Sequence, residues 1–107
     1  MAEQPLATGG CQCGAVRYAI SGPFMNPHIC HCRMCQKAFG NYFAALVAVQ
    51  RTDLRWTKGE QASFRSSSVV ARGFCRDCGT PLSYVHDDSE RILISIGSLD
   101  NPQSLTC

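Results

Sequence analysis

The sequence predicts a small antiparallel β domain with one short helix, its turns carrying the cysteines. Three observations lead there. Short segments rich in β-branched and aromatic side chains alternate with clusters of Gly, Pro, Asn, Asp and Ser, the rhythm of strands and turns. At 107 residues the chain is too short for two domains and reads as one, spanning 1–107. It also carries 8 cysteines, and a core of this size commonly needs a cross-link or a metal.

The elements follow in order. After a Gly9-Gly10 turn, Ala15 to Ile20 alternates Val16, Tyr18 and Ile20 against Ala15, Arg17 and Ala19, the pattern of a half-buried strand, and Ser21-Gly22-Pro23 ends it. Arg33 to Phe39 is the one segment that looks helical. Tyr42 to Gln50 is an apolar run that fits helix or strand by pattern, and Gly40-Asn41 before it favours a strand. Leu54 to Thr57, closed by Lys58-Gly59, is the next strand. Phe64-Arg65 and Val69 to Phe74 form a hairpin across Ser66-Ser67-Ser68. Leu82 to Val85 and Ile92 to Ile96 are separated by the turn-like Asp87-Asp88-Ser89, and His86 falls in that turn.

Charge and targeting narrow the function. Ten basic against 8 acidic residues leave +2, too little to draw nucleic acid or an anionic membrane by itself. The opening MAEQPLATGG lacks the basic and apolar regions of a secretory leader, and no stretch reaches the roughly 18 apolar residues of a membrane span. A cytoplasmic protein is expected. In a reducing compartment, closely spaced cysteines are metal ligands or redox groups more often than disulfides.

Seven cysteines form three knuckles: Cys11-Gln12-Cys13, Cys30-His31-Cys32-Arg33-Met34-Cys35 and Cys75-Arg76-Asp77-Cys78. Structural zinc takes four Cys or His ligands in a tetrahedron, often as two chelating pairs delivered by tight turns, and Cys-x-x-Cys is a common turn of this kind. Gly9, Gly10 and Gly14 bracket the first pair and Gly79 follows the third, where the backbone must bend sharply. A disulfide within Cys-x-Cys is strained, and a thioredoxin-type motif needs a βαβ context that this chain lacks.

Seven thiols divide most simply into four and three. Cys11/Cys13 with Cys75/Cys78 would close one zinc site and tie the first strand to the hairpin that delivers Phe74. Cys30, Cys32 and Cys35 would then hold a second zinc through three protein ligands, which is how catalytic zinc is usually held. Other divisions stay open: Cys32/Cys35 can pair with either other knuckle, and His31 can replace a thiolate, although in an extended segment it points away from its neighbours. His28 and His31 read first as polar residues near the site, and His86 as solvated. Three thiolates on Zn²⁺ sum to −1, so the metal is a weak Lewis acid, better suited to binding and deprotonating a thiol than to activating water. The expected substrates are a thiol and an electrophile such as an aldehyde. Arg33 and Lys37 are placed to neutralise the site or hold a substrate carboxylate, or else form a solvated basic helix face.

At these residues the chain resembles the glutathione-dependent formaldehyde-activating enzyme family, which also includes centromere protein V. The matching segments are GGCQCGAVRY (Gly9 to Tyr18), CHCRMCQKAFG (Cys30 to Gly40), FRSS (Phe64 to Ser67), RGFCRDCGTPL (Arg72 to Leu82) and IGSLDNP (Ile96 to Pro102). The resemblance implies twisted antiparallel sheets, a structural zinc on Cys11, Cys13, Cys75 and Cys78, a catalytic zinc on Cys30, Cys32 and Cys35, and a carbon–sulfur lyase that joins glutathione to formaldehyde as S-hydroxymethylglutathione. It also implies a further stretch, with a histidine and aromatic residues, beyond the GSLD segment. Here the sequence ends at Cys107, so a shortened pocket wall is expected. Cys107 is read as a free thiol, or alternatively as a fourth ligand to the second zinc.

Two other readings compete with the enzyme. In one, both zincs are structural and the domain is a recognition module for protein or nucleic acid, with Arg65, Arg72 and Arg76 as its basic residues and Phe64, Phe74 and Tyr84 nearby in sequence. The other is zinc storage or delivery, which predicts easy metal loss from the three-thiolate site.

Overall fold

The computed structural model describes residues 6–105, with the side chain of Ser104 left aside. Nine strands and one helix follow in chain order: β1 (Ala7–Gly10), β2 (Arg17–Ile20), β3 (Met25–Cys30), α1 (Arg33–Phe39), β4 (Ala44–Gln50), β5 (Leu54–Lys58), β6 (Ala62–Arg65), β7 (Val70–Phe74), β8 (Pro81–His86) and β9 (Arg91–Ser95). All named pairings are antiparallel, within a three-stranded sheet ordered β1-β2-β5 and a six-stranded sheet ordered β3-β4-β9-β8-β7-β6.

Period-two alternation assigns the two faces of the large sheet to different tasks. Val47 and Val49 of β4, with Ile92 and Ile94 of β9, pack in one cluster with Tyr18 and Ile20 of β2 and with Val16 just before it. These residues are nearly or wholly buried, and they form the main core between the sheets. The alternate β4 residues Ala44 and Leu46 pack instead with Cys35 of α1. The helix therefore sits over the opposite face. The register lines up that second face across strands: Phe64 opposes Arg72, Arg72 opposes Tyr84, Tyr84 opposes Leu93, and Leu93 opposes Ala48.

Two strands depart from the sequence-based expectation. Gly9-Gly10, expected as a turn, closes β1. A Cβ on Gly9 would stand 2.4 Å from the Tyr18 hydroxyl and 2.6 Å from the Ser98 carbonyl, so this glycine serves a close approach inside a strand. The second is β3, a segment to which the sequence reading assigns no element, and which contains Pro27. It lies at the edge of the large sheet, where proline is tolerated. A register shift between Met25 and His28 marks an irregularity there, and Asn26 takes φ 49°.

Candidate metal centre

The first cluster joins two turns that are distant in sequence. Cys11 and Cys13 follow β1, and Cys75 and Cys78 follow β7. All four sulfurs lie within 4.8 Å of one another. The Cys11–Cys13 sulfur separation is 3.6 Å and the Cys13–Cys75 separation 3.7 Å; a tetrahedron with Zn–S of about 2.3 Å has edges of about 3.8 Å. Gly14 (φ 82°) and Gly79 (φ 81°) turn the chain just after each knuckle in the left-handed region. Their N–H groups donate to the carbonyls of Cys11 and Cys75.

Sequence reasoning missed Thr80. Its hydroxyl accepts from the Gln12 N–H at 3.0 Å and lies 3.2 Å from the Cys78 sulfur, so it links the two knuckles. With the Thr80 N–H it holds the exposed Cys78 thiol down at about 5. For Cys13, the Ala15 backbone favours ionisation, yet the adjacent Cys11 and the other thiols push it up to about 12. Thiols this close cannot all ionise unless a cation joins them. A soft divalent metal fits that need.

The second cluster is local. Cys30 ends β3, Cys32 caps α1, and Cys35 lies in the first turn of that helix. Their three sulfurs also lie within 4.8 Å of one another. The Cys32 sulfur accepts from the Cys35 N–H at 3.4 Å, a contact that favours the Cys32 thiolate. Burial pushes the Cys35 thiol up to about 11 against the pull of Arg72. The donor set again suits zinc, here with three protein ligands rather than four.

A cavity of about 390 Å³ adjoins these cysteines. Its polar lining includes His28 from β3, Ser66, Arg72 from β7, and Tyr84 and His86 from β8. His86 is thus the last residue of β8 rather than part of the following turn, and its Nδ1 accepts from the Asp88 N–H. The Nδ1–H of His28 donates to the Asn26 carbonyl at 2.8 Å. His31 packs its ring against Tyr42 and Phe43, outside the sulfur cluster. Arg33 and Lys37 are exposed and border a different, shallower hollow with Met34 and Phe64. The cation at the sulfurs is Arg72, with its Nη2 3.5 Å from the Cys35 sulfur.

That placement also bears on the recognition-module reading. Of its three arginines, Arg72 is buried and Arg65 is paired with Asp87. Cys107 lies outside the described residues.

Comparison with known families agrees with the cysteine pattern. The family model for the glutathione-dependent formaldehyde-activating enzyme matches residues 6–107. The chain belongs to this family. Among curated relatives, an uncharacterized lyase of Schizosaccharomyces pombe is 27% identical over 88 residues, covering 80% of this chain. The chain spans 62% of the length of that relative. A crystal structure of a Rhodobacter sphaeroides protein superposes with a TM-score of 0.75 at 24% identity, covering 94% of this chain and 95% of the other. That likeness is one of fold. Both cysteine clusters fall within the matched span.

Proposed function

We propose that the protein is a cytoplasmic zinc-dependent carbon–sulfur lyase-type enzyme that joins a thiol such as glutathione to a small aldehyde such as formaldehyde. The observation that carries this reading is the Cys30/Cys32/Cys35 cluster beside a cavity lined by polar groups. The Cys11/Cys13/Cys75/Cys78 set is the structural zinc site, and the three-cysteine set is the catalytic one. Zinc bound by three thiolates would supply a soft fourth position at which a thiol loses its proton at neutral pH.

The chain's own residues supply the remainder. The cavity is large enough for a substrate of modest size. His28, Tyr84 and His86 present polar groups beside Leu46 and Leu93. In the reaction a carbon–sulfur bond forms, the carbonyl π bond breaks, and the thiol proton finishes on the former carbonyl oxygen, so no oxidant or reductant is required. The family name and the lyase-named yeast relative support the same reaction class.

Exchange NMR on glutathione and formaldehyde tests the proposal, because it measures the addition rate at equilibrium. Zinc-loaded protein should accelerate exchange over buffer, and Cys32→Ser should return it to the buffer rate. A wild-type rate equal to buffer, with two zinc ions bound, refutes the enzyme reading.

A further inference from the structure

Among the described residues no carboxylate pairs with Arg72 to explain its burial. The arginine is 5% exposed. Its Nε donates to the Ser66 hydroxyl at 2.9 Å, its guanidinium carbon lies 4.9 Å from the Tyr84 ring centroid, and its Nη1 is buried with no partner. The ion pairs among the described residues, Arg17–Asp100 and Arg65–Asp87, do not involve it. An arginine cannot escape this cost by losing its proton, and a buried cation without a counter-ion is strongly destabilising. Cys35 offers the countercharge through the sulfur that Nη2 contacts.

Resting on the reading that Cys30, Cys32 and Cys35 hold a divalent metal, we infer that Arg72 is the counter-cation of that site and biases it toward an anionic sulfur ligand. The charges fit. Three thiolates and a divalent ion sum to −1, and Arg72 brings the assembly to zero. A thiolate joining as fourth ligand then produces a net −1 rather than −2, in an environment where excess charge is poorly solvated. The unpartnered Nη1 leaves the guanidinium with donor capacity beyond its bonds to Ser66 and Cys35. Arg72 is a positioning residue, acting on the ligand through the metal's surroundings. Fixed by Ser66 and the Tyr84 ring, it is the kind of outer-sphere group that tunes a metal site.

The test uses full-length protein loaded with cobalt, whose thiolate charge-transfer bands report each site. The thiol probe is 2-mercaptoethanol, which has no carboxylate, and imidazole is the neutral comparison ligand. Arg72→Met should weaken cobalt at the three-cysteine site and thiol binding by about 10–100-fold each, with imidazole affinity changed less than threefold, while Arg72→Lys recovers part of the loss. Unchanged cobalt and thiol affinity in Arg72→Met overturns the inference.

A thermal-melt cycle separates this role from plain packing. Arg72→Met should lower the melting temperature of the loaded wild-type protein but not of a Cys30→Ser/Cys32→Ser/Cys35→Ser background loaded at the other site. An equal drop in both backgrounds makes Arg72 merely structural and refutes the inference. A wild-type protein that takes up one cobalt overturns both the inference and the metal reading beneath it, whereas two cobalt ions with an unaltered Arg72→Met variant overturn the inference alone.

Discussion

Replacing Cys13 by serine should cost far more stability than replacing Cys32, although both side chains are exposed cysteines in tight turns. The difference lies in the chain each metal would span. Cys13 and Cys75 are 62 residues apart in sequence, with sulfurs at 3.7 Å. If a metal cross-link acts as other loop closures do, constraining a loop of that length removes about 4 kcal/mol of unfolded-chain entropy at 25 °C. The second cluster spans only Cys30 to Cys35, and the same relation yields about 2 kcal/mol for so short a loop. A chain of this size has a total stability of roughly 5–16 kcal/mol, so the long clamp is a large share of it. Each kcal/mol shifts the melting temperature of a small domain by about 4–8 °C. Cys13→Ser should therefore lower it by up to about 15–30 °C, and Cys32→Ser by up to about half as much. Because neither substitution opens a core cavity, the loss reads the ligand. Circular-dichroism melts in chelator-buffered zinc, with zinc counted by native mass spectrometry, provide the measurement. A Cys32→Ser variant that melts at or below Cys13→Ser would falsify the reasoning from chain length.

Three further outcomes follow from particular contacts. Thr80→Val removes the hydroxyl shared by the Cys78 sulfur and the Gln12 N–H and should weaken zinc at the four-cysteine site by about 10-fold or more; competition with a chromophoric chelator checks this, and unchanged affinity refutes it. Gly9→Ala places a Cβ against Tyr18 and Ser98 and should destabilise by about 1–3 kcal/mol, read from the urea midpoint at constant slope. Arg17 and Thr8 hold the Asp100 carboxyl down at about 2, below its ordinary value of 3.8. A carboxylate lowered on folding stabilises above its unfolded value and loses that contribution as pH falls toward the folded one. The pair is partly exposed, at 34% and 45% of its two side chains, so Asp100→Asn should cost no more than about 1 kcal/mol. The gap in urea midpoint between wild type and variant should be equal at about pH 7.5 and about pH 6, both above the window in which the carboxyl titrates. A gap that shrinks across that range contradicts the assignment.

Most of the fold was legible because local pattern and tertiary burial agree. The Val16, Tyr18 and Ile20 alternation becomes the inner face of β2 and its approach, and α1 occupies the Arg33–Phe39 segment expected to be helical. Where local and tertiary demands diverge, the pattern misleads. Gly9 resembles a turn residue, yet its missing side chain makes room for a tyrosine nine positions later. Pro27 argues against a strand in general, but only an interior strand needs the N–H that proline lacks. Edge position is a property of the assembled sheet, and the MNPHIC segment does not encode it alone.

The candidate site divides along the same line. Cysteine spacing groups the seven candidate ligands because chelation by tight turns is itself a local property, while of the two readings of Arg33 and Lys37 the structure agrees with the solvated helix face, and the cation beside the cysteines comes from elsewhere. Arg33 and Lys37 are sequence neighbours of the cluster, but Cys35 is the residue this short helix buries, so both basic side chains remain in solvent. Arg72 arrives from 37 positions beyond Cys35. Two registers bring it there: β7 places it between Phe64 and Tyr84 on the cavity face, and packing of Cys35 on Ala44 and Leu46 holds α1 against that same sheet. A solvated arginine and a buried counter-cation have the same one-letter code. What separates them is the absence of a carboxylate partner among the described residues, and that could be read only after the strands were in register.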